Sequence, residues 1–117
     1  MPKLYYASPR DLPIHEPQPG VKGTILHAEN GNLVLYEYAP KTIVETHKHE
    51  VEQFGVVVKG SLAMVVAGEQ RILNAGDTFR IPANAAHGAR IFEETSQVVE
   101  VFAPARADLP KARPPGL

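Results

Sequence analysis

A chain of 117 residues with 12 Lys and Arg against 13 Asp and Glu has a formal net charge of -1. That balance, with no basic block, offers no electrostatic footprint for nucleic acid or for an anionic membrane. The absence of cysteine excludes disulfides, thiol nucleophiles and cysteine-ligated metal sites.

The length suits one domain with a core large enough to fold without staples. No apolar run reaches membrane-spanning length, and Met1-Pro2-Lys3-Leu4-Tyr5-Tyr6 lacks an apolar signal core, so a cytoplasmic location is expected. Residues 1–20 hold Pro2, Pro9, Pro13, Pro17 and Pro19. Repeated proline excludes helix and interior strand, so this stretch reads as an extended arm. It lies along its own domain or crosses onto a partner, and His15 within it reads as a surface imidazole.

From Val21 the pattern turns to short strands and tight turns. Lys22 to Ala28 is followed by the turn Glu29-Asn30-Gly31-Asn32, then by Leu33 to Ala39, closed by Pro40. Ile43 to His49 and Phe54 to Val58 come next, and Lys59-Gly60-Ser61 turns the chain back. Leu62 to Ala67 and Gln70 to Leu73 flank a hairpin turn. Thr78 to Ile81, His87 to Phe92 and Gln97 to Ala103 complete the set. Short strands at about ten-residue spacing, with no sustained helical period, argue an all-β sandwich or closed barrel over residues 21–103. Residues 104–117, rich in proline, read as a tail that is irregular or locally helical at best.

The chemistry concentrates in His47-Lys48-His49-Glu50-Val51-Glu52-Gln53 and in His87. On an extended strand His47, His49 and Gln53 share parity and leave one face. Two imidazoles, a carboxamide oxygen and His87 make a nitrogen-rich metal shell suited to Ni, Co, Zn, Fe or Mn rather than Mg or Ca. Glu50 and Glu52 point away on an undistorted strand; a one-residue bulge before Gln53 would bring Glu52 inward in its place. The bland alternative is a metal-free barrel with packed histidines, and three His plus one Gln at this spacing weigh against it. A shell without a carboxylate leaves the ion's charge unneutralised, which makes bound water more acidic and favours an anionic substrate.

A second constellation lies at the end of the chain, where Glu100, Phe102 and Arg106 share parity. If even positions face the interior, Glu100 is a proton-transfer group near the metal, Phe102 shapes the pocket and Arg106 reaches a substrate carboxylate through its planar fork. A solvated edge and a core Phe are the plain alternatives.

These motifs resemble those of the cupin superfamily, G-x5-H-x-H-x3,4-E-x6-G and G-x5-P-x-G-x2-H-x3-N. His47, His49 and Gly60 match the first motif, with Gln53 in the Glu place. Gly76, Pro82 and His87 match the second. Lys41 and Asn84 stand where the family has Gly, and Ile91 where it has Asn. The resemblance implies a double-stranded β-helix, the cupin jelly-roll barrel, holding one divalent transition metal, and a homodimer. Glu50 to Gly60, Ile81 to His87 and Val101 to Arg106 are further similar to the KdgF family of pectin-degradation cupins. That likeness implies His47, His49, Gln53 and His87 as metal ligands and an acid, a Phe and an Arg at Glu100, Phe102 and Arg106, although the family's acid is Asp. The implied activity is linearisation of 4,5-unsaturated uronates, an isomerase or lyase reaction on a small sugar acid. A metal-dependent dioxygenase and a non-enzymatic small-molecule-binding cupin are the competing classes.

Overall fold

Ser96–Ala103, the last strand, alternates strictly. Ser96, Val98, Glu100 and Phe102 are buried, while the residues between them face outward. A β-branched run with period two builds such a half-buried strand, and this one sits at the middle of the larger sheet.

The computed structural model describes residues 5–111. Pro2, Pro114 and Pro115, part of the expected irregular ends, lie outside the described residues. The strands are β1 (Ile14–Gln18), β2 (Val21–His27), β3 (Asn32–Tyr38), β4 (Ile43–His47), β5 (Glu52–Lys59), β6 (Ser61–Val66), β7 (Glu69–Asn74), β8 (Thr78–Ile81), β9 (His87–Ile91) and β10 (Ser96–Ala103). They form a six-stranded sheet, β1-β2-β3-β10-β5-β8, and a four-stranded sheet, β4-β9-β6-β7. All pairings are antiparallel. The all-β jelly roll expected from the sequence is the observed fold.

Two apolar clusters fill the interior. Val21, Ile25, Val34, Tyr36, Phe102 and Leu109 form one, and Val57, Leu62, Leu73, Ile91 and Val98 form the other. Between the sheets, on the side of the first cluster, a cavity of about 380 Å³ is left open.

In the arm, after a 3-10 turn at Pro9–Asp11, Ile14–Gln18 pairs with β2 at the edge of the larger sheet. An edge strand tolerates Pro17 because its outer backbone groups need no ladder partner. One expectation needs correction: β4 ends at His47, so His49 lies in the β4–β5 connection and not on a strand. The tail forms no strand or helix among the described residues, yet it is pinned: Leu109 is buried in the core, and His27 Nε2 lies 2.7 Å from the Pro110 carbonyl oxygen.

The departures from the cupin motifs have structural explanations. Lys41 and Asn84 both adopt left-handed backbone, at φ of 63° and 66°, where glycine is the residue with no steric penalty. Asn tolerates that region better than most residues, and the Asn84 amide donates to the His49 carbonyl at 2.6 Å. Ile91, in the usual Asn place, is buried core.

Gly88 follows His87 directly. A Cβ at Gly88 would lie 2.8 Å from the Val44 carbonyl oxygen, so the missing side chain lets β9 close against β4. Two substitutions should therefore shift stability in opposite directions. Lys41→Gly relieves left-handed strain of about 1–2 kcal/mol at an entropic cost of about 0.5–1 kcal/mol, a net gain of about 0.5 kcal/mol. Gly88→Ala forces the two strands apart and should cost about 1–3 kcal/mol. Urea denaturation with unchanged m-values checks both.

Candidate metal centre

His47 ends β4 and His87 begins β9, and the two are paired in register. Three residues of β4 span two of β9 between Val44 and His47, a bulge that re-aims the strand end. The turn after it swings His49 to the same place. Ring centroids lie 4.8 Å apart for His47 and His49, 4.3 Å for His47 and His87, and 5.1 Å for His49 and His87. One ligand atom from each ring falls within 4.8 Å of the others.

Backbone carbonyls fix the tautomers. His47 Nδ1 donates to the Glu45 carbonyl at 2.8 Å, and His87 Nδ1 donates to the Ala85 carbonyl at 2.9 Å. Nδ1 of both rings therefore carries a proton, and Nε2 is the nitrogen left to ligate. Burial, Arg106 and the neighbouring imidazoles lower the His49 pKa to about 4, and burial also lowers that of His87. Both rings are thus neutral, and able to ligate, at neutral pH.

Gln53 on β5 and Glu100 on β10 face the same cavity. Gln53 Nε2 donates to Glu100 Oε1, and the Tyr38 hydroxyl donates to Glu100 Oε2 at 2.7 Å. Glu100 is almost wholly buried. Desolvation raises its pKa from an ordinary 4.5 to about 6, against the lowering effect of these two hydrogen bonds and of Arg106. Tyr38 is pushed well above its ordinary value by burial and then by Glu100. Among the described residues, two buried side-chain atoms lack any partner: Gln53 Oε1 and His87 Nε2. Leaving a buried acceptor unpaired is costly, and a cation held by both atoms would satisfy them. Gln53, not Glu52, lines the cavity, and the β5–β10 register runs unbroken through both residues.

Phe102 packs edge-on against His49, with ring centroids 5.7 Å apart, and the Arg106 guanidinium lies over the Phe102 ring at 4.7 Å. Arg106 lies beyond β10 in the tail, where its backbone amide donates to Asn32 Oδ1 at 2.6 Å. Asp108 takes Arg106 Nε at 3.1 Å and Nη2 at 2.7 Å. Sequence reasoning missed Asp108 and Tyr38. It also misread His15, which is half-buried and lines the cavity, where a surface imidazole was expected. A register shift between His15 and Gln18 resets the parity of β1, a change that proline spacing alone does not signal.

A model of the cupin domain matches residues 34–102. The chain belongs to the cupin family. It is 34% identical over 100 residues to the pectin degradation protein KdgF of Dickeya dadantii, covering 84% of this chain and 91% of that one. It is 35% identical over 98 residues to the H2HPP isomerase of Bacillus subtilis, covering 83% of this chain but only 39% of that protein. The solved structure of KdgF from Halomonas sp. superposes with a TM-score of 0.81 at 29% identity, covering 91% of this chain and 98% of that chain.

Cupins commonly bind a metal, and the donor atoms here fit one. Three imidazoles converge, and the residues of the two orphaned acceptors line the same cavity. Among the described residues, no helix is long and apolar enough to cross a membrane.

The buried acid leads to a stability prediction. The folded state holds the Glu100 proton more tightly than the unfolded chain, so its charging destabilises the fold as pH rises from about 4.5 to 6. Glu100→Gln keeps the shape and both hydrogen-bond partners without the charge. Chelator-treated Glu100→Gln protein should melt a few degrees above the parent at pH 7.5, and the difference should vanish by pH 4. Scanning calorimetry across that range is the measurement.

Proposed function

We propose that this cupin is a metal-dependent isomerase or lyase that opens small unsaturated sugar acids of the 4,5-unsaturated uronate type. In this reading His47, His49, Gln53 and His87 hold one divalent transition metal (Ni, Zn, Fe, Co or Mn), while Glu100, Phe102 and Arg106 act on the substrate. The observation that carries it is a buried acid of raised pKa, hydrogen-bonded to a residue whose other end is unpartnered and which lines the same cavity as the three histidines. Similarity to a pectin degradation protein over most of both chains supports it.

The overall change is an isomerisation. The bond from C1 to the ring oxygen breaks, the anomeric hydroxyl gives up a proton, and C4 gains one. The metal, when bound, supplies Lewis-acid polarisation of a substrate oxygen. Glu100 keeps a further lone pair on each oxygen beyond those taken by Gln53 and Tyr38. With a pKa raised to about 6 it both accepts and returns a proton near neutrality. Arg106 offers its fork to the substrate carboxylate, and Phe102 supports the guanidinium from below.

Adding 4,5-unsaturated galacturonate to metal-loaded protein should abolish the ultraviolet absorbance of its conjugated double bond, and unchanged absorbance counts against the reading. His47→Ala should reduce bound metal from about one per chain to a minor fraction. Glu100→Gln should keep the metal and lose about 10²–10⁴-fold in rate. A storage or carrier cupin would bind the sugar acid without turnover, and a dioxygenase would consume oxygen. The H2HPP isomerase relative makes unsaturated keto acids the second substrate class to assay.

A homodimer belongs to the same reading. Leu35, Phe54 and Val58 are exposed on the outward face of the six-stranded sheet, and contiguous apolar surface of this kind suits a partner. Leu35→Glu should halve the mass measured by light scattering while leaving metal content unchanged.

A further inference from the structure

The cavity has a second polar station that the proposed chemistry does not use. His15 on β1 and Tyr36 on β3 line it with their ring centroids 6.3 Å apart. Neither the His15 ring nitrogens nor the Tyr36 hydroxyl make a hydrogen bond to any described residue. The Tyr36 hydroxyl is not among the fully buried unpaired atoms, so it remains accessible. From His15 an aromatic wall runs inward: Tyr36 to Tyr38 at 5.6 Å between rings, and the Tyr38 hydroxyl to Glu100 at 2.7 Å. A second wall runs from Arg106 over Phe102 to His49. The first leads to Glu100 and the second to His49; the first begins in neutral hydrogen-bonding groups and the second in a cation.

We propose that His15 and Tyr36 form a hydroxyl-binding subsite, so that the cavity selects a polyhydroxylated ring carboxylate over an apolar carboxylate of the same shape. The inference rests on the reading that Arg106 receives a carboxylate in this cavity. A neutral imidazole presents one donor and one acceptor, and a phenol does the same. Vicinal sugar hydroxyls, each both donor and acceptor, complement such a pair, whereas a carboxylate, which only accepts, is better served by the guanidinium. His15 stays neutral at physiological pH because burial and the nearby Arg106 lower its pKa. Gln18, three residues on, donates to the Ile43 carbonyl at 2.8 Å. That bond ties β1 to the opposite sheet, so the wall is anchored. The volume of about 380 Å³ is within the range of small-molecule sites.

The test is isothermal titration of metal-loaded protein with two non-reactive probes, D-galacturonate and cyclohexanecarboxylate. His15→Ala and Tyr36→Phe should each weaken galacturonate binding about 5- to 10-fold, the loss of one hydrogen bond of ordinary strength. Cyclohexanecarboxylate affinity, metal content and melting temperature should stay within error of the parent. Arg106→Ala should weaken both probes alike. Equal losses for both probes in the His15 and Tyr36 variants, or no loss in either, overturn the subsite. If galacturonate discrimination holds while unsaturated uronates are not turned over, the subsite stands and the proposed reaction falls. If Arg106→Ala spares both probes, the carboxylate assignment falls.

Discussion

One amide holds this centre together. Gln53 is the residue type that can donate to Glu100 through Nε2 and still present an unshared carbonyl oxygen to the cavity. A Glu at 53 would place two carboxylates side by side in a buried site, where they must share a proton. The sheet register enforces the contact. Gln53 stands opposite Phe102 and Gly55 opposite Glu100, and a Cβ on Gly55 would collide with the Val99 carbonyl oxygen. An uncharged amide at 53 therefore suits the acid behind it, which takes its Nε2 proton and leaves its oxygen unshared.

The same coupling organises the charge. Three imidazoles and an amide bring no negative charge to an ion, while the carboxylate sits one hydrogen bond further out. Burial opposes protonation of His49 and His87 and opposes ionisation of Glu100. A divalent cation would reverse the second effect while exploiting the first, since it needs neutral imidazoles and stabilises a nearby anion. The low-dielectric cavity thus favours the ligand-competent forms of the histidines unaided. Its buried acid lies where a cation would favour ionisation.

How much of this was legible in the sequence depends on how local each signal is. His47, His49, Gln53 and His87 stood out by their short spacings, and the structure brings the three histidines together while Gln53 lines the same cavity. Glu100 and Phe102 followed from the period-two alternation of β10. Parity was the wrong reason for two others: His49 leaves the strand before it reaches the cavity, and Arg106 lies past the end of β10. His15, Tyr38 and Asp108 were illegible because each owes its place to a long-range pairing or a bulge. A β1 register shift, the β3–β10 register and the burial of Leu109 supply those placements. Lys41 and Asn84 looked like departures from a motif, yet both occupy the backbone conformation that the motif's glycines imply.

Arg106 illustrates how the tail completes a site that the barrel alone leaves open. A guanidinium has a side edge, Nε with Nη2, and an end edge, Nη1 with Nη2. Asp108 occupies the side edge, which leaves the end edge for another carboxylate. Asp108 is largely exposed whereas Arg106 is nearly buried, so the ion pair itself adds little stability and acts chiefly to fix the orientation of the fork. The pinning of the tail decides where that fork stands. Asn32 holds the Arg106 backbone, and the buried Leu109 and the contact between His27 and Pro110 hold the residues that follow. A cation placed by a tail anchored on the core keeps its geometry as reliably as one placed by a strand.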